Sequence, residues 1–452
     1  MPISDVGVDF TKDLGIANMR CHSTGIGGIH PMPMPGPVIE GIRRLELPLV
    51  RVFLQEFFFI YSDDGSFDWS KLDPYMDAVH ATGAQIMASI CLKPRAVFPV
   101  IDENVWRPSD VEKWQHILSE LVKRYSIERD YVQYWSVGNE TNIGEAGGCP
   151  YRITSPDDFF EYYKLTVAPI LAAVPHAKVG GPSHAGTNGA TEYLGRFAEL
   201  CMENDVPLHF VNYNQYCDDP AQCVNDAARI KAAISKFDSN IGVYVTELNI
   251  GIDSEIYIEE KAYSCKRAAG LAAILIALHE EGSLDGTFQY HAYDQYCDPR
   301  LFAPWYGKPR YMAEYWDDIA HRLGLFDLNG NVHPQYFVYD MLKKLAPYRI
   351  EAEVKNDSLY AIASREGEQR ITIFMSNYRV TGAVDTILQF RAEGMPEGMY
   401  HMQVTRIDEE VNLCKHSLVP TEDRRTYVHP DFRFAVFAPA NSVLFIEFIR
   451  ED

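Results

Sequence analysis

VQYWSVGNETN, residues 132–142, decides the fold. Its first six residues are mostly apolar or aromatic, and the run then stops on Asn139 and Glu140. Apolar side chains on both faces are what a strand of a covered parallel sheet requires. A helix signal follows at Ser155-Pro156-Asp157-Asp158, a cap, a proline at the first position and acidic residues in the first turn. Strand, polar end, helix is therefore the unit.

The unit repeats along the chain. Strands are expected at Asn18–His22, Leu49–Leu54, Gln85–Cys91, Val132–Val137, Lys178–Gly181, His209–Tyr213, Gly242–Thr246 and Thr287–Ala292. Helices are expected at Val38–Leu45, Leu72–Thr82, Val111–Tyr125, Pro156–Val174, Thr191–Asn204, Ala221–Lys236, Glu259–Glu281 and Gln335–Leu345. Eight consecutive βα units predict an α/β protein whose residues 1–347 form a (β/α)8 TIM barrel. A doubly wound open sheet is the other fold the alternation allows. After Tyr348 the pattern becomes short strands separated by Gly, Pro, Asn and charged turns, such as Arg370–Ser376 and Ser442–Ile449. Residues 348–452 are accordingly expected to form a C-terminal antiparallel β-sandwich domain.

The chain has 452 residues, 47% hydrophobic and 23% charged, which excludes intrinsic disorder. The formal net charge is −22, from 41 basic and 63 acidic residues. That balance argues against nucleic acid and anionic membrane as partners. The N-terminus lacks the basic and apolar regions of a signal peptide. The longest apolar run, Ala268–Leu278, is too short for a bilayer. Nine cysteines without framework spacing suit a reducing compartment, so a cytoplasmic protein is expected. A homo-oligomer is compatible with the sequence.

Barrel enzymes place their chemistry at the C-terminal ends of the strands. Strand four ends in Asn139-Glu140 and strand seven in Thr246-Glu247, so two carboxylates face each other across the barrel mouth. A carboxylate at a buried strand end is costly unless paired or used. Glycoside hydrolysis needs such a pair, one protonated to assist the leaving oxygen and one ionised to attack or stabilise the anomeric centre. The competing reading is structural: ion pairs with Arg51 or Lys93.

On these residues the chain resembles the clan A retaining glycoside hydrolases, and within them glycoside hydrolase family 39, which includes β-xylosidases and α-L-iduronidases. The matching segments are Asn139-Glu140-Thr141-Asn142, Val179-Gly180-Gly181-Pro182, Phe210-Val211-Asn212 through Tyr216, Thr246-Glu247-Leu248, Gly324-Leu325-Phe326 and His333-Pro334. The resemblance implies that Glu140 is the acid/base and Glu247 the nucleophile. It also implies that Asn139 holds the sugar 2-hydroxyl, Tyr216 bonds the nucleophile, and Arg51 lies beneath Glu247. The chain departs from the family at Phe53 and Asn214, where histidines are usual, and at Cys91-Leu92-Lys93-Pro94. Tyr290 or His291 stands near the place of a tryptophan platform. These departures point to a remodelled sugar site. Another clan A activity (iduronidase, glucuronidase or glucosidase) is the first alternative, and a non-catalytic carbohydrate-binding barrel the second.

Lys93 and Arg95, just past strand three, could read a substrate carboxylate. Trp106, Trp305, Tyr306 and Tyr296 lie in expected catalytic-face loops, where rings stack on sugars. His22, taken to end strand one, and His30 could line the pocket. Cys149, Cys217, Cys223 and Cys297 lie in the same loops, but C-x5-C matches no standard zinc pattern. With no phosphate loop or dinucleotide fingerprint, and a reaction that needs no metal, neither cofactor nor metal is expected. The expected partner is an oligosaccharide or glycoside substrate.

Overall fold

The computed structural model describes residues 1–28, 31–100, 102–251, 263–296, 320–409 and 417–451. After a first strand β1 (Ile3–Ile16), eight parallel strands close into a barrel in chain order. They are β2 (His22–Gly25), β3 (Leu49–Gln55), β4 (Gln85–Cys91), β5 (Val132–Val137), β6 (Lys178–Ala185), β7 (Phe210–Tyr216), β8 (Gly242–Asn249) and β9 (Gly286–Tyr290). The helices that follow them are α1 (Gly36–Leu45), α2 (Leu72–His80), α3 (Val111–Val122), α4 (Pro156–Ala173), α5 (Ala190–Glu203), α6 (Pro220–Ile234), α7 (Cys265–Glu281) and α8 (Pro334–Lys343). The expected barrel is present, and the open sheet is excluded because β2 pairs with β9.

Local chemistry starts these helices where they start. Ser155 caps α4, with Pro156 at its first position, and Asp219 accepts from Ala221 N at the head of α6. Ser264 caps α7, which ends at Gly282 in the left-handed conformation.

Residues along each strand alternate between two cores. Val50, Val52 and Leu54 of β3, and Ile86, Ala88 and Ile90 of β4, pack under the helices. The residues between them fill the barrel. At its base Met87, Phe210 and Phe288 form an apolar plug, and near its top Phe53, Cys91, Tyr290 and Leu323 form another. Full burial of each such side chain favours the fold by about 1.5–3 kcal/mol. Polar residues, Arg51 among them, occupy the layer between.

Two short strands, β10 (Gln295–Tyr296) and β11 (Ala320–His321), pair with each other. The second body joins β1 to β12 (Tyr348–Val354), β13 (Leu359–Glu366), β14 (Arg370–Asn377), β15 (Thr386–Glu393), β16 (Gly398–Ile407), β17 (Pro420–Val428), β18 (Arg433–Ala438) and β19 (Ser442–Arg450). It is a sheet of nine strands in the order β17-β16-β19-β14-β13-β12-β1-β15-β18. It curls over a single core. Phe434 of β18 reaches Phe448 of β19, 5.1 Å between ring centroids, although these strands are not neighbours.

One expectation is corrected. The C-terminal strands pair antiparallel with one another, as expected, but β1 joins them, antiparallel to β12 and parallel to β15. The chain's first sixteen residues, assigned to the barrel by sequence, supply that strand instead. Tyr378 Oη donates to Asp218 O (2.9 Å) and Ser376 Oγ to Ala269 O (2.7 Å), tying the sheet to the barrel. Among the described residues no helix is long and apolar enough to cross a membrane.

Candidate active site

Glu247 reaches the barrel mouth through an irregular strand. Pairing of β7 with β8 steps from Tyr213↔Val245 to Asn214↔Glu247, and that of β8 with β9 from Val245↔Thr287 to Leu248↔Gln289. Such bulges bend a strand and re-aim its side chains. Glu247 Oε1 then meets Nη1 of the fully buried Arg51 at 3.1 Å. Nη1 also donates to Thr246 O (2.9 Å), Nη2 to Asn139 Oδ1 (2.6 Å) and Ser183 Oγ (3.1 Å), and Nε to Ser89 Oγ (3.1 Å). Five acceptors thus surround five N–H donors. The guanidinium also stacks 4.2 Å from the centroid of Phe53. Desolvating a cation this completely is tolerable only beside a counter-charge, and Glu247 provides it. Tyr216 Oη donates to Glu247 Oε2 at 2.6 Å. Burial and then the Glu247 charge hold the Tyr216 phenol well above its usual range, so it remains a donor.

Glu140 is set by a sharp turn after β5. Gly138 (φ +77°) and Glu140 (φ +47°) are both left-handed, and Glu140 N donates to Ser183 O at 2.8 Å. A Cβ on Gly138 would lie 2.5 Å from Thr141 Cγ2, so glycine is required there. Asn214 Nδ2 donates to Glu140 Oε1 at 2.9 Å, and Gly147 packs against the other carboxyl oxygen. Burial first, and the Glu247 charge second, raise the Glu140 carboxyl to about 8. The two carboxylates therefore have opposite surroundings: a cation and a phenol on Glu247, an amide and a low-dielectric wall on Glu140.

Asn139 and Asn214 join these halves. Asn139 Oδ1 accepts from Arg51, and its Nδ2 donates to Gly147 O at 3.0 Å. Asn214 also donates to Asn139 Oδ1 (3.4 Å), while its own Oδ1 accepts from Thr246 Oγ1 (2.9 Å). Both residues are buried. Tyr290 lies beside the constellation, its ring 6.2 Å from that of Tyr216 at 83°. His291 is buried behind Tyr290, at 4.7 Å. Asn249 holds this corner by donating to Leu323 O (3.2 Å).

Other expected residues fall elsewhere. Lys93, expected to face a substrate carboxylate, is fully buried. Its Nζ donates to the Asp102 and Pro150 carbonyls, and it lies over the rings of Phe98 and Tyr151. The apolar cover that makes Lys93 need partners is met by loop carbonyls. Arg95 is exposed. His22 begins β2 rather than ending a strand, which puts it at the opposite end of the barrel from the carboxylates. Trp106 packs edge-on against Tyr162, and Tyr296 is about half exposed. Trp305, Tyr306, His30 and Cys297 lie outside the described residues. Among those described, Cys149, Cys217 and Cys223 do not gather into a group that could hold a metal.

Ser89, Ser183 and Gly147 were not anticipated. Ser89 left a trace, a hydroxyl in the apolar run of β4; Gly147 left none, since its role depends on a contact made only after folding.

Residues 46–418 match the family described as "Glycosyl hydrolases family 39". A β-xylosidase of Caldicellulosiruptor saccharolyticus is 23% identical over 380 residues, 77% of this chain and 72% of that protein. A β-xylosidase of Geobacillus stearothermophilus is 30% identical over 117 residues, 25% of this chain and only 22% of that protein. Among solved structures, a monomeric β-xylosidase from Caulobacter crescentus superposes with a TM-score of 0.74 at 17% identity, covering 99% of this chain and 100% of that one. A GH39 enzyme from Xanthomonas axonopodis pv. citri gives 0.75 at 18% identity, covering 100% and 98%.

Proposed function

This chain belongs to glycosyl hydrolases family 39, and on that premise we propose that it is a retaining, exo-acting glycosidase that removes a terminal β-xylosyl residue. The observation that carries the reading is the unequal treatment of the two carboxylates. Glu247, bound by Arg51 and Tyr216, is prepared as an anion. Glu140, raised to about 8, is prepared as an acid. In the first step Glu247 attacks the anomeric carbon while Glu140 delivers its proton to the departing oxygen. In the second, Glu140 takes a proton from water, which attacks the glycosyl–Glu247 ester and releases the sugar with its original configuration. The amide of Asn139, oriented by Arg51, is assigned to the sugar 2-hydroxyl, and Tyr290 with Phe53 to the apolar wall of the sugar site. A xyloside is favoured because the matched relatives are β-xylosidases, and because the Lys93 ammonium, the reason to expect a uronide, is occupied by loop carbonyls.

Leaving-group dependence tests the assignment. Glu140→Ala should lower kcat/KM about 10²–10⁴-fold on substrates with poor leaving groups and far less on activated aryl xylosides. Azide should restore turnover of the latter as a β-glycosyl azide. Equal losses on both substrate types, or trapping of a 2-fluoroxylosyl ester on a residue other than Glu247, would overturn the roles.

A further inference from the structure

A second group of chemically capable side chains lies at the N-terminal end of the barrel, away from the carboxylates. Cys21 and His22 stand where β2 begins, and His279 is in the last turn of α7. One ligand atom from each of these three residues lies within 4.8 Å of the other two. Ligands at 2.0–2.3 Å around a tetrahedral ion stand roughly 3.5 Å apart, so small side-chain rotations would close the set.

The state of His22 points to a ligand. Its Nδ1 is hydrogen-bonded to Thr287 Oγ1 at 2.9 Å, while its Nε2 is fully buried and has no hydrogen-bond partner among the described residues. A buried polar nitrogen left so is costly and calls for an explanation. A hydroxyl on one ring nitrogen with the other nitrogen open is the arrangement of a metal-ligating histidine, whose outer partner fixes ring orientation and tautomer. Burial supports the same reading. It pushes His22 down to about 3 and His279 down to about 4, so both imidazoles are neutral, the form that ligates. Burial also holds the Cys21 thiol up at about 12, so the thiolate would form only as the metal displaces its proton. Arg349, whose charge acts on His279, is itself paired with Glu280.

We propose that Cys21, His22 and His279 bind a Zn2+ ion. One thiolate and two imidazoles suit this borderline-soft cation, and the fourth position is left to water. The site is remote from the sugar chemistry and its role is structural. His22 pairs with Thr287 where the first and last barrel strands meet, and His279 ends the helix between the last two strands. The ion would therefore fasten the closing seam of the barrel.

Cobalt tests this on the full-length protein after chelator treatment. Titration with Co2+ should give one equivalent bound, a thiolate-to-cobalt charge-transfer band and the visible spectrum of a tetrahedral ion. Cys21→Ser should abolish the charge-transfer band. His279→Gln should weaken binding roughly a hundredfold and Thr287→Val roughly tenfold. Zn2+ should raise the Tm of the wild type and leave that of Cys21→Ser unchanged. Circular dichroism of the metal-free variants checks that they are folded. Should a variant fail to fold, the wild-type titration decides alone: no thiolate–cobalt band at saturation overturns the proposal. Binding that survives unchanged in folded Cys21→Ser and His279→Gln overturns it equally.

Discussion

The proton on Glu140 is the quantity on which both chemical steps turn. Glu140 sits in a low-dielectric wall beside the Glu247 anion, and both raise its pKa, to about 8. As an acid it works only while protonated, so kcat/KM should fall as pH rises through about 8. When the sugar is bonded to Glu247, that anion has become an ester and its contribution vanishes. The pKa of Glu140 must then drop, which is what the second step needs, because Glu140 now acts as a base. Pre-steady-state kinetics should accordingly show the alkaline limb near 8 in glycosylation only. The deglycosylation rate should have a limb of opposite sense, rising with pH, and centred lower. A common limb for both steps would mean that the Glu247 charge does not govern Glu140.

At the scale of elements, the site is held by strand irregularities and one glycine-rich loop. A Cβ on Gly147 would stand 2.3 Å from Glu140 Oε2 and 2.5 Å from Glu140 Cβ, while its own φ is not positive. Gly147→Ala should therefore displace the carboxyl rather than unfold the loop. Displacing a catalytic group by about 1 Å costs on the order of 10²-fold. We expect that loss in kcat/KM, steepest for poor leaving groups, with Tm close to wild type; a large fall in Tm would show the glycine to be structural. The same elements explain how much the sequence disclosed. The apolar runs, the caps at Ser155 and Asp219 and the acidic residues at strand ends are local signals, and they yielded the barrel with Glu140 and Glu247. The bulges in β8 depend on pairing with β7 and β9, so from the residues alone Arg51 was one of two candidate ion-pair partners, and only the resemblance to the family set it beneath Glu247. His22 was misplaced for a related reason. The short β2 starts at His22, directly after a three-residue 3-10 turn, and a few residues of error at a strand end exchange the two faces of a barrel. Lys93 was misread because a cation after a strand end looks the same in sequence whether substrate or loop carbonyls receive it.

At the scale of the whole molecule, the barrel is inserted into the sheet rather than placed before it. The alternation Val6-Gly7-Val8-Asp9-Phe10 is visible in the sequence, but nothing local says that its partners lie some 340 residues away, in β12, and still farther in β15. β1 occupies an interior place in the nine-stranded sheet, and its Val6, Val8 and Phe10 are buried in that sheet's core. Removing residues 1–16 would leave β12 and β15 each with an open edge, a template for association with other chains. It would also empty three core positions, each truncation costing about 2–5 kcal/mol, against a total stability for a typical domain of about 5–15 kcal/mol. The loss would not stay in the sheet. Tyr378, just after β14, bonds the carbonyl of Asp218, two residues beyond the Tyr216 that holds Glu247. A truncation starting at residue 17 should thus aggregate or unfold at least 10 °C below the full chain, and whatever remains folded should show reduced kcat through a loosened Tyr216. Thermal unfolding, light scattering and xyloside kinetics on the two forms check this. A truncated protein with the Tm and kcat of the full chain would show that the sheet closes without β1 and does not brace the active site.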